Sequence, residues 1–424
     1  MSWAISVTAA TGRRRHDLDL VRALIVASLV LFHTACIFVP GHSYVTNRST
    51  SFVMMMVVFF TKLWGMPLLF MVAGVAVWHS LAVRTSGDFV RERIRRLLVP
   101  LIVGVTLLVP PQVWYFLHAS GRDPGRYWAF LGRFLNVRLT LNFPSFLRGA
   151  DADGLFELSH LWFLYYLLVY SLLLLPLFLW LRRGGGARVA GRLTAACRRS
   201  CGVFLLALPV VAIEVGLGIV GPGSWHSFAH IPFLLTGFLV AANRELAEVV
   251  QRSWRKALVV GVVALPGLFM IANYDLGGAE RMLGTDYHPW SLAFRFLKAT
   301  AGWAWTLALF GLVSSLTRRA PEGSAGRGGR AGTGRVTRYA NEAVLPFYVL
   351  HQTPIIVIGF YVVQWEAGVW TKFLVISAAS LAVTLAIYDL CVRRTNLTRA
   401  LFGMASMRST APAAAESGVS GDRR

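Results

Sequence analysis

Apolar residues dominate ten separate stretches of the chain, each long enough to cross ~30 Å of hydrocarbon as a helix. The stretches lie at roughly 21–40, 54–82, 97–118, 161–181, 202–220, 228–243, 257–274, 299–317, 343–363 and 370–392. Polar residues gather between them, and the longest such connection runs from 119 to 160. The pattern predicts an all-α, polytopic membrane bundle of about ten transmembrane helices.

Composition supports the same class of protein. Of the 424 residues, 56% are hydrophobic and only 15% are charged, which leaves too little polar surface for a soluble enzyme of this length. The net charge of +22 would suit nucleic acid, but the sequence contains no basic, aromatic-interleaved soluble module. We therefore expect the lipid bilayer, and no nucleic acid, as a partner of this chain.

The positive charges indicate an orientation. If the N-terminus is cytoplasmic, the cytoplasmic segments hold 31 of the 42 Lys and Arg residues, as the positive-inside rule requires. This distribution predicts that both termini are cytoplasmic. We expect a cytoplasmic N-terminus at 1–16, a membrane domain at 17–403 and a disordered, small and polar C-terminal tail at 404–424.

The first apolar stretch carries two ionisable residues on one face. Arg22 and His33 are eleven positions apart, so a helix returns them to within about 20° of each other, separated by roughly 16 Å along its axis. Ionisable groups inside a membrane are costly and usually functional. His33 is therefore a candidate general base, the alternative being a histidine that a neighbouring helix satisfies structurally.

Other polar residues have weaker signals. Arg93, Arg95 and Arg96 stand at the cytoplasmic start of the third stretch, where they suit phosphate groups or simply anchor the topology. Glu214 lies within the fifth stretch, either as a hydrogen-bonded structural group or as a second acid or base. Asp389 lies one turn before Arg393 and is expected to balance its charge.

Histidine and cysteine positions add two expectations. Six of the ten histidines fall at the outer ends of the predicted spans, which suggests a polar outer vestibule. The four cysteines are scattered, which argues against a disulfide framework. Cys197 and Cys201 are one helical turn apart but have no histidine close by, so we expect no metal site.

Six motifs follow one another along the chain. They are Asp17–Leu24 with His33, Met66–Gly74, Arg93–Arg96 before Pro100, His160–Leu164, Pro346–Gln352, and Tyr388–Arg394 continuing to Leu401–Gly403. Their order resembles the acyltransferase-3 family, in the branch that includes glucan biosynthesis protein C, over about residues 17–403. Two positions depart from the family pattern: Ala73 replaces a common Ser, and Asp389 replaces a usual Glu.

The resemblance implies an integral-membrane O-acyltransferase of the bacterial cytoplasmic membrane. It would move an acetyl or succinyl group from cytoplasmic acyl-CoA to a hydroxyl of a glucan, a cell-surface glycan or another acceptor. Acyl-CoA is then a co-substrate, and no bound cofactor is expected. His33 would act as a base or an acylated relay beside Arg22.

The same resemblance suggests roles for the remaining candidates. Arg93 and Arg96, with the adjacent Arg95, would contact the acyl donor. The candidates for the acceptor site or its support are His160, Trp162, His351 and Glu214. A transporter or flippase for an acylated lipid or glycan is the alternative function, although the sequence lacks the internal repeats common in transporters.

Overall fold

The computed structural model describes residues 28–139, 147–149, 155–199, 201–218, 225–273, 287–319, 339 and 342–407. Arg22, the predicted cytoplasmic N-terminus and residues 408–424 of the predicted tail lie outside the described residues. The first predicted span is described from residue 28, where a helix runs over 28–36.

Helices form nearly all of the described chain, as predicted. After the helix at 28–36 they are Phe52–Val83, Ser86–Ala119, Tyr127–Phe134, Ser159–Leu173, Leu175–Leu181, Gly184–Cys197, Gly202–Leu217, Trp225–His230, Ile231–Ala242, Arg244–Arg252, Trp254–Asn273, Pro289–Arg319, Glu342–Leu350, Gln352–Val362, Val369–Val392 and Asn396–Leu401. Two short antiparallel strands, Val137–Leu139 and Leu147–Gly149, pair within the long connection between the third and fourth apolar stretches.

Fewer of these helices than predicted are long enough to span a membrane alone. Five described helices meet the length and composition of a span, and up to seven do if each of two bent pairs forms one span. The stretches around 202–220 and 228–243 form shorter apolar helices that begin with 3₁₀ turns, each followed by a proline in the first α-helical turn. The count of ten spans and the orientation stay predictions.

Two glycines bring the helices Phe52–Val83 and Ile231–Ala242 into backbone contact. A Cβ atom added to Gly74 would lie 2.0 Å from the carbonyl oxygen of Leu234, and one added to Gly237 would lie 1.8 Å from that of Met71. Small residues allow such close approach between membrane helices, which associate by packing and not by expelling water. The crossing therefore holds Met66–Gly74, one of the six motifs, against its neighbour.

Aromatic rings fill the interior around this crossing. Phe70 and Phe238 are fully buried, and the ring of Phe238 lies 4.6 Å from that of Phe178. Trp303, on the long helix Pro289–Arg319, lies with its ring 5.1 Å from that of Phe233. These contacts join the fourth, sixth and eighth apolar stretches, each of which contributes residues to the cavity described below.

Replacing Gly237 by valine should therefore separate the two helices. We expect a loss of about 1–3 kcal/mol or more in unfolding free energy, because backbone atoms rather than flexible side chains obstruct the new Cβ. Thermal unfolding of the detergent-purified protein measures this effect. Gly191→Ala is the matched control, since a Cβ there meets open space and should be neutral or slightly stabilising. Equal melting temperatures for both variants would contradict the crossing.

Candidate active site

Three histidines from distant parts of the chain come together inside the bundle. The ring centroid of His351 lies 5.1 Å from that of His33 and 5.2 Å from that of His160. His160 and His351 are buried, and His33 is partly buried. Each of these residues is a separate candidate in the sequence, and the structure brings all three into one cluster.

Breaks in the helices put two of these histidines in place. His160 lies on the 3₁₀ turn Ser159–Leu161, which opens the helix that follows, and Ser159 adopts a left-handed backbone with φ 48°. His351 lies at a 42° bend between two helices, three residues before Pro354. A proline has no N–H to donate and clashes with the preceding turn, which explains the bend.

The backbone around the bend orients both imidazoles. His351 Nδ1 lies 2.8 Å from the carbonyl oxygen of Tyr348, and His160 Nε2 lies 3.1 Å from that of Val349. A carbonyl oxygen only accepts hydrogen bonds, so these two nitrogens carry the protons. The Tyr348 hydroxyl in turn donates to the carbonyl oxygen of His160.

This arrangement leaves one imidazole nitrogen of His351 free. Among the described residues, its buried Nε2 has no hydrogen-bond partner. When His351 is neutral, Nε2 holds a lone pair, because Nδ1 carries the proton. The structure thus offers a second proton acceptor beside His33, a property that the sequence pattern did not reveal.

A buried amide joins the segments that carry His160 and His351. The Gln112 side chain is fully buried; it accepts from Ser159 Oγ at 2.8 Å and donates to Thr353 Oγ1 at 2.9 Å. Thr353 donates onward to the carbonyl oxygen of Leu108 at 2.8 Å. Sequence analysis missed Gln112, whose only signal is a lone amide after two prolines within an apolar span.

A cavity of about 660 Å³ adjoins the histidine cluster. Its lining includes His33, His160, Trp162 and Glu214, four of the residues predicted from sequence. His42 and His230 also line it, so part of the predicted histidine vestibule exists. The aromatic part of the lining consists of Phe32, Phe156, Trp162, Tyr165, Tyr166, Phe233 and Tyr348.

Glu214 pairs with a lysine in this cavity. Lys298 Nζ lies 2.8 Å from Glu214 Oε1, and both side chains are largely buried. Lys62 also lines the cavity. Asp389 pairs with Arg393 at 3.5 Å, as expected. This pair lies far along the chain from Glu214, Lys298 and Lys62.

The predicted donor arginines do not line the cavity. Arg95 and Arg96 lie in a π-helical turn, Ile94–Leu98, of the helix Ser86–Ala119, and Arg93 stacks over the Phe89 ring at 4.7 Å. Arg96 also pairs with Glu92 at 3.4 Å. Gln112 is sixteen residues beyond Arg96 on the same helix, or roughly 24 Å at ~1.5 Å per residue. The arginines predicted to bind the donor therefore lie at the opposite end of this helix from Gln112, which contacts the segments of His160 and His351.

Glu157, in the cavity beside the histidine cluster, is hydrogen-bonded to Tyr44. The Tyr44 hydroxyl donates to Glu157, which lines the cavity three residues ahead of His160. Burial raises the pKa of Glu157, and the hydrogen bond from Tyr44 partly opposes that shift. Burial raises the pKa of Tyr44 as well. The described residues contain no group of three or more His, Cys, Asp or Glu side chains arranged to hold a metal ion.

The chain matches the model of one known protein family. Residues 15–389 match the acyltransferase-3 family model, which is described as an acyltransferase domain. This protein belongs to the acyltransferase-3 family. Membership implies acyltransferase activity in a multi-pass membrane protein and does not favour the transporter alternative. The matched region contains all three clustered histidines. No curated protein and no solved structure matches the chain.

The raised pKa of Glu157 predicts a pH-dependent stability. Below the pKa of an unfolded glutamate, both folded and unfolded chains are protonated, and the carboxyl has no effect. As pH rises toward and through the higher folded pKa, ionisation increasingly destabilises the folded protein. Glu157→Gln keeps an acceptor for Tyr44 without this cost, so its advantage in melting temperature over wild type should grow as pH rises above about 4 and level off once the folded carboxyl is ionised.

Melting curves across that range check the prediction. Glu366→Gln is the control, because Glu366 is exposed and outside the cavity. A Glu157→Gln advantage that is constant with pH, or greatest at low pH, would contradict burial of an ionisable carboxyl.

Proposed function

We propose that this family member is a membrane O-acyltransferase of the bacterial cytoplasmic membrane. It transfers an acetyl or succinyl group from cytoplasmic acyl-CoA to a hydroxyl of a glucan, cell-surface glycan or other acceptor. The observation that carries the proposal is the convergence of His33, His160 and His351 beside a cavity, in a chain of an acyltransferase family.

His33 performs the proton transfer in this proposal. It removes the proton of the acceptor hydroxyl as the oxygen attacks the thioester carbonyl carbon. The carbon–sulfur bond then breaks, and the CoA thiolate leaves and takes up the proton held by His33. The products are an acyl ester and free CoA. In the other version, His33 is itself acylated and passes the group to the hydroxyl.

The two neighbouring histidines support this step differently. His160 donates to the Val349 carbonyl, which fixes its ring at the helix break. His351 does not line the cavity, but its free Nε2 lies beside His33 and can accept a proton or a hydrogen bond from the His33 ring. Arg22, eleven residues before His33 in the sequence, is the partner of His33 that the family resemblance implies, and it lies outside the described residues.

The cavity lining suits a sugar. Aromatic side chains such as Trp162, Tyr165 and Phe233 offer apolar faces for a pyranose ring, and the polar groups offer partners for its hydroxyls. Donor phosphates would bind at the other end of Ser86–Ala119, where Arg93, Arg95 and Arg96 offer guanidinium groups. The thioester arm of the donor then extends along the bundle to His33.

Loss of the His33 imidazole should abolish transfer. We expect His33→Ala to lower acyl transfer from radiolabelled acetyl-CoA to host envelope glycans by about 10²- to 10⁴-fold. His118→Ala is the matched control, because His118 is exposed and does not line the cavity. Full transfer by folded His33→Ala protein would refute both the base and the relay versions.

Truncated donors test the arginines. Arg96→Ala should raise KM for acetyl-CoA on the order of tenfold, because a charge-assisted contact to phosphate is lost. KM for acetyl-pantetheine, which lacks the nucleotide phosphates, should stay unchanged. Arg91→Ala is the control on the same helix, since Arg91 is highly exposed and its ion pair among the described residues is with Asp88. Equal KM changes for both donors would exclude phosphate recognition by Arg96.

A further inference from the structure

Two lysines share one cavity with a single ionic partner. Lys298 pairs with Glu214, whereas Lys62 has no hydrogen bond or ion pair within the described part of the chain. The two ammonium groups lie within electrostatic range of each other, and Lys62 also lies within range of His33. Lys62 is accessible from the cavity.

Glu214 does not neutralise both lysines. One of its oxygens contacts Lys298, and the other is buried without a hydrogen-bond partner among the described atoms. The other carboxyl of the cavity, Glu157, accepts a hydrogen bond from the Tyr44 hydroxyl and forms no ion pair with Lys62 among the described residues. Lys62 is therefore the lysine of this cavity that has no ion pair among the described residues.

Lys62 lies too deep to be a simple anchor at the membrane surface, since it is eight residues inside the apolar stretch that starts at 54. That is roughly 12 Å of helix, more than a lysine side chain spans when it reaches back to the interface. Unpaired ionisable groups at such depth are expensive, and they mark binding sites or ion pathways.

We propose that Lys62, with Lys298 beside it, binds a carboxylate of the ligand that reacts at His33. This inference rests on the proposed function and narrows it to a reaction in which donor or acceptor carries an anionic group. The carboxylate belongs either to a dicarboxylic acyl group on the donor or to an acidic sugar on the acceptor. In both cases the ion pair fixes the ligand inside the cavity while the remainder reaches His33.

The test measures binding separately from turnover. Thermal stabilisation of the purified full-length protein is measured with glucuronate against glucose, and with succinyl-CoA against acetyl-CoA. Lys62→Met removes the charge at similar length, Lys62→Arg restores it, and Lys256→Met is the control at an exposed lysine outside the cavity. Lys298→Met is combined with Glu214→Gln, so that no buried carboxylate loses its partner.

The expected result is charge-selective binding. Wild type should bind one anionic probe at least about tenfold more tightly than its neutral counterpart. Lys62→Met should lose that preference, Lys62→Arg should recover most of it, and Lys256→Met should behave as wild type. The double variant Lys298→Met with Glu214→Gln should weaken the preference for the anionic probe. Preference for succinyl-CoA assigns the carboxylate to the donor, and preference for glucuronate assigns it to the acceptor.

Two failures are distinguishable. If wild type and Lys62→Met bind anionic and neutral probes alike, the carboxylate site is overturned, whether or not acyl transfer occurs. If binding is charge-selective but His33→Ala retains full acyl transfer, the carboxylate site stands and the proposed function fails.

Discussion

The bend at His351 is the constraint on which the site depends. Inside hydrocarbon no water is present to satisfy a backbone carbonyl, so a broken helix needs partners from the protein itself. Here the imidazoles of His351 and His160 donate to the carbonyls of Tyr348 and Val349. The same two bonds fix which nitrogen of each ring carries the proton. The hydrogen bonds that satisfy the broken helix thereby leave Nε2 of His351 free to accept a proton.

Close packing elsewhere keeps that arrangement rigid. Gly74 and Gly237 let two backbones touch, and Gln112 links the turn before His160 to the residues after His351. None of these groups reacts, but each limits how far the three histidines can move apart. The cavity thus has one wall set by helix packing and another set by a buried hydrogen-bond network.

The sequence predicted the helical membrane class and family because hydropathy and motif order are local signals. It selected His33, His160 and His351 one by one, but their contacts join positions more than a hundred residues apart in the chain. The bend before Pro354, the tautomer of His351 and the pairing of Glu214 with Lys298 depend on tertiary contacts, which no local pattern contains. Gln112 and the Tyr44–Glu157 pair were missed for the same reason.

Acyl transfer in this account takes place in the cavity at His33, with His351 beside it. An electron cryomicroscopy structure with a non-hydrolysable thioether analogue of acetyl-CoA tests it most directly. The account predicts the acyl end of the analogue in the cavity, within about 3 Å of an imidazole nitrogen of His33. An acyl end bound outside this cavity, with no contact to either imidazole, would contradict the account.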